Sequence, residues 1–234
     1  MLILFIMCED FSKIDKTIDL AVALCQKEFN DTEIVEVLNG SDDVQKCIAI
    51  MNIGNIKSQK LADLLVFHLT NHGGTVREAV AIKLDSLFDN DDNIRYFQTD
   101  YIVDTICDAI IDINPNISRI ILGLLNKIDN KFLILKNIEE KINYSLQNIL
   151  KSDVLQNHQI NKFYFKIYWL LEALNKLENI DIVQFKPLLL KIAELPEYTV
   201  REKVAQLVKK YSELSDLKEK LVEDDNYYVK RIFQ

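Results

Sequence analysis

The sequence predicts an all-α chain built from recurring helical hairpins. Three observations carry that expectation. The 234 residues include only 5 Gly and 3 Pro, too few for a fold rich in β-turns. Apolar residues recur at spacings of three and four almost throughout, the period of a helix with one buried side. One stretch, GTVREAVAIKLDSLF from Gly74 to Phe88, returns in altered form along the chain. Such recurrence is expected when each unit leaves an apolar face for its neighbour to cover.

Within that stretch Val76, Ala79, Val80, Ile82 or Lys83, Leu84 and Leu87 form the apolar stripe. Gly73 and Gly74 ahead of it permit a tight exit from the preceding helix. Glu197 to Tyr211 matches it closely, through Val200, Arg201, Glu202, Val204, Ala205 and Val208. Ser41 to Ile56 gives Val44, Cys47, Ile48, Ala49 and Asn52; Asn114 to Ile128 gives Ile117, Ser118, Arg119, Ile120, Ile121, Leu122 and Leu125. Val229 and Lys230 begin a last copy. The anchors Val44, Val76, Ile117, Val200 and Val229 lie 32, 41, 83 and 29 residues apart. The longest interval holds two units if the helix from Lys162 to Leu177 is a loose copy.

The cores Val76-Arg77-Glu78-Ala79-Val80-Ala81 and Val200-Arg201-Glu202-Lys203-Val204-Ala205 resemble the second helix of HEAT or HEAT-like repeats. The resemblance extends from about Asp31 onward. It implies a right-handed α-α superhelix, a solenoid of about five to six hairpins, with the second helices lining a concave face. The chain then forms a single domain, residues 1–30 capping the repeats of 31–234. The resemblance also implies that Lys46, Arg77, Arg119 and Arg201 face outward on that concave side. A row of cations there would hold a partner. The other reading is a ladder, in which these side chains bond to acids or carbonyls of adjacent repeats.

Taken in order, Phe11 to Phe29 reads as a capping helix with Ser12 at its start. Asp31 to Leu38 is a short helix ended by Asn39-Gly40, and Asp42 to Asn55 is its partner. Ser58 to Thr70 pairs with the Gly74 helix. Asp89 to Asn93 is a polar break. Thr99 to Ile113 precedes Asn114-Pro115-Asn116, where Pro115 suits a first helical turn. Lys131 to Leu150 is one long helix or two short ones, followed by a polar span, Lys151 to Asn161. Lys162 to Leu177, Ile182 to Leu195 and Val200 to Tyr211 continue the pairing, with Pro196 marking a turn. Leu214 to Val222 and Tyr227 to Phe233 finish the chain.

The net charge of −8 argues against a polyanion as the main partner, because phosphate binding needs clustered Lys and Arg. It points instead to a basic protein or peptide. Cys8, Cys25, Cys47 and Cys107 contain no CxxC pair and no His at metal spacing, so free thiols in the cytoplasm are expected. MLILFIMCED is too short to span a bilayer and lacks the basic start of a leader peptide. No membrane segment is expected, and residues 1–6 are expected to be dispensable.

Possible chemistry is sparse. His68 and His72 share a helical face, half of a zinc site, with no third ligand evident. Asp89, Asp91, Asn93 and Asp100 fall at calcium-loop positions 1, 3, 5 and 12, with Ile94 where the loop glycine belongs. Neither supports a metal, and no pattern calls for a cofactor. Phe163, Tyr164, Phe165, Tyr168 and Trp169 form the densest aromatic run. They are core or a binding patch, and Tyr164 and Trp169 join the four cations as candidate partner-binding residues. No nucleophile elbow, P-loop or dinucleotide fingerprint appears. The expected function is a non-catalytic scaffold or adaptor. The alternative is an enzyme resembling the HEAT-like alkylpurine DNA glycosylases, which the acidic balance disfavours. A bilin lyase with related repeats has no residue support.

Overall fold

The computed structural model describes residues 29–40, 42–151 and 157–234, with the side chains of 157 and 158 left aside. The expected capping helix up to residue 28, with Ser12, Cys8 and Cys25, and residues 152–156 of the polar span lie outside these residues, while 157–161 of that span are helical. Every described element is helical, and no strand occurs among them. The chain divides into two compact units, Met1–Phe97 and Gln98–Gln234.

In the first unit the α-helices are α1 (Asp31–Gly40), α2 (Asp43–Asn52), α3 (Gln59–Thr70), α4 (Gly74–Leu87) and α5 (Asp91–Ile94). Polar side chains set their starts by accepting from orphan backbone donors. Asn30 and Glu33 cap each other's amides at 3.0 Å, a reciprocal capping box. Asp42 accepts from the Gln45 amide at 2.9 Å and Ser58 from the Leu61 amide at 3.3 Å. Helix α1 packs on α2, α3 on α4, α1 on α3 and α2 on α4. Two hairpins therefore lie side by side, first helix against first and second against second. The polar break at Asp89–Asn93 is partly helical, and its Asn93 is buried, accepting from the Ile56 amide at 2.8 Å.

In the second unit the helices are α6 (Asp100–Ala109), α7 (Pro115–Leu124), α8 (Lys131–Leu150), α9 (Asn157–Lys176), α10 (Lys186–Ile192), α11 (Tyr198–Lys210), α12 (Lys218–Val222) and α13 (Tyr227–Lys230). Pro115 occupies the first turn of α7, and Lys131 to Leu150 is one helix. The same pairing recurs: α6 with α7, α8 with α9, α10 with α11. Across hairpins α6 meets α8 and α8 meets α10, while α7 meets α9, α9 meets α11 and α11 meets α13.

The recurring stretch enters the core through fixed helical positions. Val76, Ile117, Val200 and Val229 are each the third residue of their helix, and each is fully buried. Val80-Ala81, Ile121-Leu122 and Val204-Ala205 follow at the seventh and eighth positions, also buried. Two details differ from the sequence reading. In α2 the pair at those positions is Ala49-Ile50, so the third position is Gln45, and Val44 is 53% exposed. The first copy is thus set one residue later, with Asp42 as its cap. In α4 the stripe runs through Ala81, while Ile82 points outward.

Gly73 does not act through unusual backbone angles, since no described glycine has positive φ. A Cβ there would meet the Asp43 carboxylate oxygen at 3.1 Å, so the demand is for close approach of α2. Cations close the far ends of helices, where carbonyls lack partners. Lys83 donates to the Ile53 carbonyl at 2.9 Å, Lys131 to that of Leu125 at 2.6 Å, and Lys210 to those of Asn175 and Leu177 at 2.6 and 3.0 Å. Burial lowers the pKa of Lys83 and of Lys131.

Candidate functional site

The position after the buried anchor has a consistent structural job. Arg77 Nη1 donates to the His72 carbonyl at 2.7 Å, just past the end of α3. Arg201 Nη1 donates to the carbonyls of Leu195 and Pro196, both at 2.8 Å, just past α10. At the same position in α7, Ser118 Oγ reaches the Asp112 carbonyl at 3.3 Å. In α4, α7 and α11 the fourth-position side chain thus ties its helix to the turn it emerged from, satisfying carbonyls the preceding helix leaves open. Arg201 is held further by Asp224, Nε to Oδ2 at 2.7 Å and Nη2 to Oδ1 at 2.9 Å, a bidentate fork between side chains only 14% and 8% exposed. The hydrogen bond raises Arg201 above its usual pKa and lowers Asp224 below the usual carboxylate value.

Lys46 occupies the fourth position of α2 and is buried, which corrects the expectation that it faces outward. The register set by Asp42 turns it inward, toward His68. His68 is itself 2% exposed and its two ring nitrogens have no hydrogen-bond partner. Its ring lies 4.3 Å from that of His72. Burial first, then the charges of His72 and Lys46, lower its pKa to about 4 against the weak opposing pull of the Leu38 carbonyl and Asp43. The Leu38 carbonyl favours a protonated ring without making a bond of ordinary geometry. His68 is therefore a neutral core imidazole at neutral pH. Among the described residues no three His, Cys, Asp or Glu side chains converge to hold a metal. Burial pushes the Cys107 thiol up to about 12, so it is inert as a nucleophile.

Arg119 differs from the other candidate cations. It is the fifth residue of α7, exposed, and its Nη1 donates to Asn116 Oδ1 at 3.1 Å. It stands on the face carrying Leu122 and Gly123, three and four residues on. That face forms one wall of a cleft of about 420 Å³. The other wall is α9, through Tyr168, Trp169, Glu172 and Lys176. The buried side of α9, including Ile167, Leu170, Leu171 and Leu174, fixes the orientation of that wall. Tyr168 and Trp169 meet edge to face, centroids 5.5 Å apart.

The cleft has distinct electrostatics. Glu172 is taken by Lys203 of α11 at 2.7 Å, and the same ammonium lies 4.8 Å from the centre of the Tyr168 ring. Burial alone would lower the Lys203 pKa, but the hydrogen bond and charge of Glu172 outweigh it and hold the pKa above the ordinary value. Among the described residues Arg119 and Lys176 have no carboxylate partner. Trp169 is 7% exposed, and its indole N–H is buried without an acceptor. Leaving such a donor unmet costs about 1–3 kcal/mol.

Of the six sequence candidates the structure brings only Arg119 and Trp169 to this cleft. Tyr164 is half-buried elsewhere on α9, its pKa raised by burial and then by Glu197. Phe163, Phe165 and Tyr168 are likewise half-buried. Lys46 and Arg77 belong to the first unit, and Arg201 is bound up with Asp224. Sequence reasoning missed Gly123, Glu172 and Lys176 as cleft residues. A glycine inside a helix of so Gly-poor a chain was the available signal.

No family model and no curated protein matches the chain. Among solved structures, the crystal structure of an engineered protein is similar, at 13% identity and a TM-score of 0.41 over 87% of this chain and 94% of that one. So slight a likeness carries no argument about fold or function.

Proposed function

We propose that this protein is a non-catalytic binding scaffold or adaptor, built of HEAT-like hairpins in a right-handed superhelical arrangement, that holds a protein or peptide on its second helices. The like-to-like packing of first and second helices within each unit supports the repeat reading. The observation that carries the binding reading is the cleft between α7 and α9. It combines aromatic side chains with exposed cations, the features of a recognition surface. The net charge of −8 favours a basic partner around it by charge complementarity. Cytoplasmic residence fits the free thiols Cys47 and Cys107. No helix among the described residues is long and apolar enough to cross a membrane.

The test is retention of peptides by the immobilised full chain. Lys/Arg-rich sequences should be held in a salt-sensitive way and Glu/Asp-rich ones of equal length should pass. Equal behaviour of the two sets would reject the basic-partner reading. Tight, salt-sensitive DNA binding in a gel shift would replace it with the glycosylase-like alternative.

A further inference from the structure

We infer that the cleft between α7 and α9 is a binding site for a carboxylate carried on a flat apolar group. This deepens the scaffold reading, which rests on the same cleft, by naming the class of ligand the cleft takes. Three features converge. Arg119 and Lys176 put uncompensated positive charge on opposite walls, because Glu172 is matched by Lys203. A guanidinium and an ammonium so placed favour an anion with several acceptor atoms. Tyr168 and Trp169 supply aromatic surface on the α9 wall.

The third feature is Gly123. Glycine inside a helix is disfavoured relative to alanine, and no packing contact requires it here. A Cβ at this position would meet nothing within 4 Å. The missing side chain therefore serves the open space, which a larger residue on this wall would fill. The volume of about 420 Å³ suits a single ring with a short acidic arm, at the small end of ligand pockets. Two sources share this chemistry, a free aromatic acid and a peptide ending in an aromatic residue with a free carboxyl terminus.

Trp169 is the single tryptophan of the chain, so intrinsic fluorescence reports on this cleft alone. The full chain is titrated with phenylacetate, with its neutral isostere phenylacetamide, and with a hexapeptide ending in phenylalanine as free acid or amide. Saturable change with an acid, at least about tenfold weaker for the matching amide, is expected. Arg119→Gln with Lys176→Gln should weaken it a further tenfold or more, and Gly123→Leu should abolish it with helicity retained. Tighter binding of the peptide acid than of phenylacetate would assign the site to chain termini, and the reverse to small acids. No saturable response to either acid, acid and amide alike, or charge variants without effect would overturn the inference. The scaffold reading is judged separately, on retention of basic peptides.

Discussion

Helices α4 and α11 carry nearly the same words, Val-Arg-Glu at their starts, yet their arginines end in different surroundings. Arg77 reaches the carbonyl of His72 and is half-buried. Arg201 makes the equivalent reach to Leu195 and Pro196 and adds a bidentate fork to Asp224. The shared contact belongs to the repeat: a side chain one past the anchor ties back to the preceding turn. The extra contact belongs to the place, since Asp224 comes from the segment that follows α12. A sequence pattern of this kind therefore reports a packing duty more directly than a docking row. Of the four candidate cations, Arg119 is the exposed one set outside that duty, and it lines the cleft between α7 and α9.

The largest expected effect separates the two arginines. Arg201→Ala leaves Asp224 buried and unpaired and should cost about 3–5 kcal/mol in urea unfolding. Arg77→Ala removes a charge-assisted bond to a carbonyl and should cost about 1.5–3 kcal/mol. Equal losses would mean that the Asp224 fork adds no more than the further interaction of Arg77 does.

The next comparison is between anchors. Val76→Ala and Val200→Ala each empty a buried site and should cost about 1–3 kcal/mol, whereas Val44→Ala should stay within about 0.5 kcal/mol. A large loss at Val44 would restore the register read from sequence. That register was misread for a physical reason: Val44 is apolar, but a valine can sit on an exposed face when the cap moves by one residue. The other anchors and the Pro115 start were legible because caps and period agreed, whereas the period alone left Lys131 to Leu150 open between one helix and two. The cleft was legible only in Arg119 and Trp169. Its remaining residues come together through α7–α9 packing, which spacing along one helix does not specify.

A further contrast sets buried His68 of the first unit against the acid–base fork of the second. The His68 pKa lies near 4 in the folded state against an ordinary value of 6.5. The unfolded chain therefore takes up a proton first as pH falls. The His68 contribution is complete above pH 6.5, declines below it and is gone below 4, a loss of at most about 3 kcal/mol. His68→Leu should flatten that window in a pH series of unfolding midpoints. Asp224 acts lower: its depressed pKa gives stability that is present above the ordinary carboxylate value and is lost as pH falls through its folded value. The smallest expected effect is a gain. Gly123→Ala should stabilise the second unit by about 0.5–1 kcal/mol, and no gain would show that the glycine has a packing role.

The measurement that bears most directly on the structural duty of these arginines is a double-mutant cycle on Arg201 and Asp224 by urea unfolding. Coupling of about 1.5–3 kcal/mol, with the double variant Arg201→Met, Asp224→Leu more stable than Arg201→Met alone, is the predicted result. Additive single variants with near-zero coupling would contradict it and return Arg201 to the set of residues open to a partner.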